Sequence, residues 1–260
     1  MGPFLAAILA VNNSFSLSAQ RLRLDYREPA NGAIADKYFD SERGTLSTGG
    51  YRVGASLMRD AGGIKHLHVL GSFSRADGYV PYDGHAYVGP TSFVVPLQNT
   101  SHARIDDWHL RVGIGFEAGE RCLFTPYLAW GYHAWDRTLT AGTPAQIWEY
   151  YDHHTVQFGN RLQWAAGRRT VLTLDGRFGT TLQPHIRVPD VRVSRPLGRG
   201  PAIDLEAEAD QDLGRRLHLV LGAAFSHFSY GQSRVQNGLL EPGSSTDALT
   251  SHAGLRYSYL

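Results

Sequence analysis

The sequence predicts an all-β protein, a transmembrane antiparallel up-and-down β-barrel of about ten strands with short turns at one end and long loops at the other. Three observations predict it. The chain ends HAGLRYSYL, in which Leu255, Tyr257 and Tyr259 share one strand face and His252, Gly254, Arg256 and Ser258 the other. An aromatic face at a terminus that would otherwise fray needs something to bury it. The composition is rich in Gly (29) and aromatic residues (13 Tyr, 11 Phe, 5 Trp), yet mean hydropathy is only −0.27. Strands with lipid on one side and water on the other read this way. Finally, tight-turn signals alternate along the chain with longer irregular segments.

The elements follow in order. The start, MGPFLAAILAVNNSFSLSAQ, has an apolar run from Pro3 to Val11 followed by small and polar residues. It is expected to be a signal peptide, residues 1–19, cut after Ser18 or Ala19, leaving one barrel domain over 20–260. No Lys or Arg precedes the run, so an apolar N-terminal strand or helix is the other reading. The run is too short to cross a bilayer as a helix. Four clusters then read as hairpin turns: Asp60-Ala61-Gly62-Gly63, Glu117-Ala118-Gly119-Glu120-Arg121, Ala166-Gly167-Arg168-Arg169 and Leu213-Gly214-Arg215-Arg216. Between them lie long segments at about 28–44, 80–101, 139–147, 186–200 and 237–246. Five long and four short connections imply ten strands with both termini on the short-turn side, at about 19–27, 45–59, 64–79, 102–116, 122–138, 148–165, 170–185, 201–212, 217–235 and 247–260. Several exceed the ~9–11 residues that cross a bilayer, so the sheet is expected to continue above it.

Parity assigns the faces. In the eighth strand Ile203, Leu205, Ala207 and Ala209 alternate with Asp204, Glu206, Glu208 and Asp210. Phe116, Phe124, Trp164 and Tyr259 lie near short turns or the terminus and form one interfacial belt; Tyr51, Phe73, Trp108, Trp130, Trp148 and Phe178 form the other. The opposite parity collects charge: Arg21, Arg23, Asp25, Arg52, His66, His68, Asp107, His109, Arg111, Glu149, His153, Gln157, Arg161, Asp175, Arg177, the four acids of strand eight, His252 and Arg256. Facing lipid at the midplane each Arg would cost ~2–4 kcal/mol, so this set belongs inside.

The terminal strand resembles that of outer-membrane proteins in general, with a polar residue, Gly two places on and two aromatic residues at alternating positions: His252, Gly254, Tyr257 and Tyr259. Leu260 departs from the pattern by following the last aromatic. The resemblance implies a Gram-negative outer membrane, periplasmic termini, reading of the last strand by the barrel-assembly machinery, and lipid and lipopolysaccharide as surroundings.

For function, the formal charge of +1 gives no reason to expect a nucleic-acid partner. The lone Cys122 lacks an activating motif, and no cofactor or zinc pattern is present. Ten strands enclose little space. The lumen charges Arg111, Arg161, Arg177, Asp204, Glu206, Glu208 and Asp210 therefore either pair across the barrel and fill it, or line a narrow path for ions or small solutes. His66 and His68 share a face but lack a third metal ligand. Asp107 and His109 are weak catalytic candidates: their spacing is similar to the Asp-His pair of omptins, ten-stranded outer-membrane proteases. The matching Asp-x-Asp pair is missing, and the adjacent Asp106 and Asp107 face opposite ways. The aromatic segment Tyr79–Tyr87 and Trp135, Trp148, Tyr150 and Tyr151 read as loop or rim residues available for recognition. The expectation is a non-enzymatic barrel, structural or narrow-pored, with surface loops; a plugged barrel displaying loops for adhesion or ligand binding is the alternative, and a rim hydrolase the third reading.

Overall fold

Strict alternation and four tight turns wind the chain into one ring of antiparallel strands. The computed structural model describes residues 2–29, 38–88, 93–142, 146–234 and 241–259. The strands are β1 (Ser14–Pro29), β2 (Tyr38–Thr45), β3 (Gly49–Ala61), β4 (Ile64–Val88), β5 (Phe93–Ile114), β6 (Phe116–Glu117), β7 (Cys122–Leu139), β8 (Ile147–Ala165), β9 (Thr170–Val188), β10 (Val193–Pro196), β11 (Pro201–Gly214), β12 (Leu217–Tyr230) and β13 (Ser244–Ser258). Both β2 and β3 lie between β1 and β4 and are two halves of one interrupted wall strand. β6 continues β5 along β7, and β10 is a short ribbon on β9. Ten wall strands result among the described residues, as the turn count predicts.

The ring closes where β13 pairs with β1, from Ser14 opposite Ser258 to Arg27 opposite Ser245. Closure is tight at Gly254, where a Cβ would collide with the Leu17 carbonyl oxygen and the Ser18 backbone. The β3–β4 turn uses Gly62 and Gly63, both at positive φ (56° and 87°), as a two-residue hairpin turn requires. All four short connections fall where the turn signals place them.

The lipid face is continuous. Leu17, Leu128 and Phe178 are each more than 60% exposed, levels a water-soluble wall would not hold in a contiguous band. Phe116 pairs with Phe124, and Trp164 lies opposite Cys122 at the lower edge. At the upper edge Tyr51, Phe73 and Trp108 touch in sequence, with ring centroids 5.9 and 4.4 Å apart. Directly above them Arg75 and Asp106 pair at 2.6 Å, which marks where apolar surroundings end.

Three expectations are corrected. The 80–101 segment is largely sheet: β4 and β5 pair from Leu67/Ile114 up to Val88/Phe93. Alternation simply continues there, with Val80 and Tyr82 buried and Tyr79 and Pro81 exposed. Arg21, Arg23 and Asp25 face outward, because Leu22, Leu24 and Tyr26 take the inward positions of β1. Trp135 and Tyr151 are buried inside the barrel and are not rim residues. The loop portions 30–37, 89–92, 143–145 and 237–240, and Leu260, lie outside the described residues.

The N-terminal helix α1 (Pro3–Val11) lies at the barrel mouth on the short-turn side. Ile8 and Val11 are buried there with Met58, Leu123, Ala165 and Val171. The expected cleavage positions, Ser18 and Ala19, fall inside β1.

Candidate functional site

Small inward residues on one side of the barrel make room for long charged ones from the other. Ser14, Ser16 and Ser18 on β1, Gly54 and Ser56 on β3, and Ser72 and Ser74 on β4 line the interior opposite the acidic row of β11. The lumen is filled in four layers.

The floor is α1 and the residues after it. Asn12 and Gln163, both fully buried, exchange amide hydrogen bonds at 2.6 and 3.0 Å. The Asn12 carbonyl accepts from Ser56 Oγ at 2.9 Å, and Ser56 Oγ meets His68 Nε2 at 2.8 Å.

Above the floor stands a ladder of ion pairs. Arg256 donates to Glu208 at 2.7 Å and to Asp210 at 2.6 Å, and His218 meets Asp210 at 2.6 Å. Glu206 accepts from Arg52 and lies 3.7 Å from Arg111. Arg111 also donates to Asp175 at 2.7 Å; Asp175 further accepts from Tyr127 and lies 3.6 Å from Arg161. Asp204 accepts from Arg177 at 2.9 Å, Gln157 at 2.6 Å and Ser226 at 2.5 Å. Five arginines thus meet five carboxylates in this ladder, and the charge balances. That balance is what burial demands, since an unpaired charge in such surroundings costs several kcal/mol. Arg111, Arg161, Arg177, Asp204, Glu206, Glu208 and Asp210 all belong to it.

Two cavities flank the ladder, of about 110 Å³ above and about 40 Å³ below, and both are lined by Arg52 and Glu206. The upper one holds water-sized guests in small number. Asp107, His109, His133 and His153 line it. Asp107 accepts from His133 Nδ1 at 2.7 Å, while His109 Nε2 accepts from Arg177 at 3.2 Å. Asp107 and His109 therefore face one cavity without forming a pair. His133 is the residue that reading by spacing missed; its inward parity with Tyr127 and Ala129 on β7 was the available signal.

The roof is aromatic. Tyr26 packs on Trp135 at 5.0 Å, Trp135 on Tyr151 at 5.5 Å, and Tyr151 stacks on Tyr230 at 6.1 Å. Trp135 lines the upper cavity together with Asp107 and His133. His66 and His68 separate: His66 meets Glu117 at 2.8 Å at the lower rim, and His68 points at Ser56. Among the described residues, Glu206, Glu208 and His252 are the one acidic and imidazole group close enough to hold a metal ion. Arg52, Arg111 and Arg256 already neutralise it, which disfavours a cation.

Above the roof, outside the bilayer, Arg137 is fully buried and pairs with Glu42 and Glu149 at 2.8 Å each, its guanidinium 4.8 Å from the Tyr26 ring centre. Glu28, Asp40 and Glu241 gather beside it, so acids outnumber cations. Burial, and then the Asp40 and Glu241 carboxylates, push Glu28 well above the usual carboxylate range. Burial, followed by Glu149, pushes Glu241 up to about 7.

In β13, His252 and Gly254 face inward and Tyr257 outward; the Tyr259 amide donates to the Asn13 carbonyl at 3.0 Å, and its ring leans on Phe15 at 5.4 Å.

No family model and no curated protein sequence matches the chain. Among solved structures, the outer membrane protease OmpT of Escherichia coli is similar over 95% of this chain and 95% of its own, with a TM-score of 0.61 and 9% identity. The translocator domain of autotransporter NalP from Neisseria meningitidis aligns over 98% and 93%, with a TM-score of 0.43 and 12% identity. At 9% identity the first likeness establishes the fold alone, a closed antiparallel β-barrel.

Proposed function

We propose that the protein is a closed, non-enzymatic outer-membrane barrel whose lumen is a structural filling, and whose sheet and loops above the bilayer form the surface it offers to its surroundings. The observation that carries this reading is the succession of obstructions within the lumen: helix, balanced ion-pair ladder and aromatic roof. A hydrolase needs a polypeptide or lipid to reach its general base. The Asp107–His133 pair shares an interior cavity with Trp135 and Phe228, which supports a structural role for it.

Lipopolysaccharide is the proposed outer-leaflet neighbour. The outward Arg21, Arg23 and Arg43 stand exposed on adjoining strands β1 and β2, where phosphate groups would find counter-charge. His252, Gly254, Tyr257 and Tyr259 are the proposed signal to the assembly machinery.

Single-channel recording in a planar bilayer tests the reading. A correctly inserted barrel is expected to stay silent across salt and voltage. Discrete openings whose ion selectivity shifts on neutralising Asp204, Glu206, Glu208 and Asp210 would replace it with a narrow-pore function.

A further inference from the structure

We propose that residues 3–19 remain part of the inserted protein, with Ser14–Ala19 as the membrane-spanning half of β1 and α1 as a displaceable plug over the lower polar cavity. The first part stands on the wall itself and is independent of the closed-lumen function; the second deepens that function.

A cut after Ser18 or Ala19 would leave β1 to begin at Ala19 or Gln20. The outward residues that remain above that point are Arg21, Arg23 and Asp25, none of which suits lipid. The large apolar outward residues of β1 are Phe15 and Leu17, 58% and 61% exposed, both on the removed side. Ser14 to Ser18 pair at once with Ser258 to Gly254 of β13 and with Ser56 to Arg52 of β3. Removing them would open a slot in the wall at membrane depth, with unpaired backbone groups of both neighbours facing lipid. Such groups cost several kcal/mol each, which is why spanning sheets close. β13 would lose its partner over the same stretch that carries Gly254, the position whose missing side chain lets the two strands approach.

The segment before β1 is seated by specific contacts as well as apolar ones. The Asn12–Gln163 amide exchange is fully buried. Asn13 Oδ1 accepts from the Met58 amide at 3.1 Å, and the Asn13 carbonyl accepts from the Tyr259 amide at 3.0 Å. An apolar export segment needs only hydrophobicity; a reciprocal amide exchange with β8 and further hydrogen bonds to β3 and to Tyr259 just past β13 are a docking geometry. Val11 and Ser14 line the lower cavity, so lifting α1 away exposes Ser56, His252 and Arg256 to the periplasm.

The intact mass of protein extracted from membranes tests retention. A chain containing residues 3–19 is expected; a mass beginning at Ala19 or Gln20 overturns this part, whatever the conductance. For the plug, Ser56→Cys in a Cys122→Ala background is treated with a small membrane-impermeant thiol reagent from the periplasmic side. Labelling is expected to quicken at least tenfold with Ile8→Asp, or with deletion of residues 3–11, which leaves β1 whole. Equal rates with and without these changes overturn the plug. Conduction by the unaltered chain while α1 is in place would defeat the closed-lumen function and leave retention standing.

Discussion

Arg52 on β3 and Glu206 on β11 form an ion pair that stands, with Ser72, between the cavity above it and the cavity below. The two strands stand four places apart around the ring, and only closure of the barrel brings them together. Glu206→Gln leaves the partly buried Arg52 and the buried Arg111 beside it with an incomplete partner and is expected to destabilise the barrel by about 3–5 kcal/mol. The double change Arg52→Met with Glu206→Met removes both charges and should recover most of that loss. Urea unfolding in lipid vesicles measures both; equal stability of all three proteins would show that the pair is solvated.

Leu128 sits mid-band on β7, between Phe124 and Trp130, and is 65% exposed. Leu128→Arg is expected to lower stability in lipid by ~2–4 kcal/mol and to slow insertion, whereas Leu128→Phe should be silent. Folding yield into vesicles, followed by gel mobility, reads the difference. Tolerance of the arginine would mean this face does not meet hydrocarbon.

The acid-rich cluster around Arg137 makes stability depend on pH. Glu241 is raised from an ordinary 4.5 to about 7, so the folded state holds a proton that the unfolded state releases above about 4.5. Folded stability from this group is therefore greatest below 4.5 and is lost as pH rises through 7. Hydrogen exchange of the upper strands should quicken across that window, and Glu241→Gln should flatten the dependence. Exchange that slows as pH rises, after correction for its intrinsic rate, would contradict the assignment.

Asp107→Asn and His133→Ala distinguish a structural pair from a catalytic one. Asp107→Asn strands the buried His133 and is expected to cost about 1–3 kcal/mol of stability, whereas His133→Ala leaves the 28% exposed Asp107 to water and should cost less. Neither is expected to alter peptide or lipid ester cleavage, because the unaltered protein should show none. Cleavage by the unaltered protein that vanishes with either substitution would make the upper cavity an active site.

The turns that organise the ring were legible because they are local. Gly62-Gly63 and Leu213-Gly214-Arg215-Arg216 interrupt the alternation where the chain reverses, and a tight reversal needs those residues whatever surrounds it. The lipid face was legible for the same reason: Leu205 and Asp204 must point opposite ways on any strand. β1 was misread because its alternation keeps one parity while its surroundings change, from lipid outside Phe15 and Leu17 to water outside Arg23 and Asp25. Sequence by itself thus determined an antiparallel barrel, its turns and which residues share a face. Only the closed ring decided that Glu206 meets Arg52, that Asp107 meets His133 and not His109, and that α1 fills the lower mouth. Periodicity is a property of each strand, but contact across a lumen depends on the stagger with which ten strands close, and no single strand carries that information.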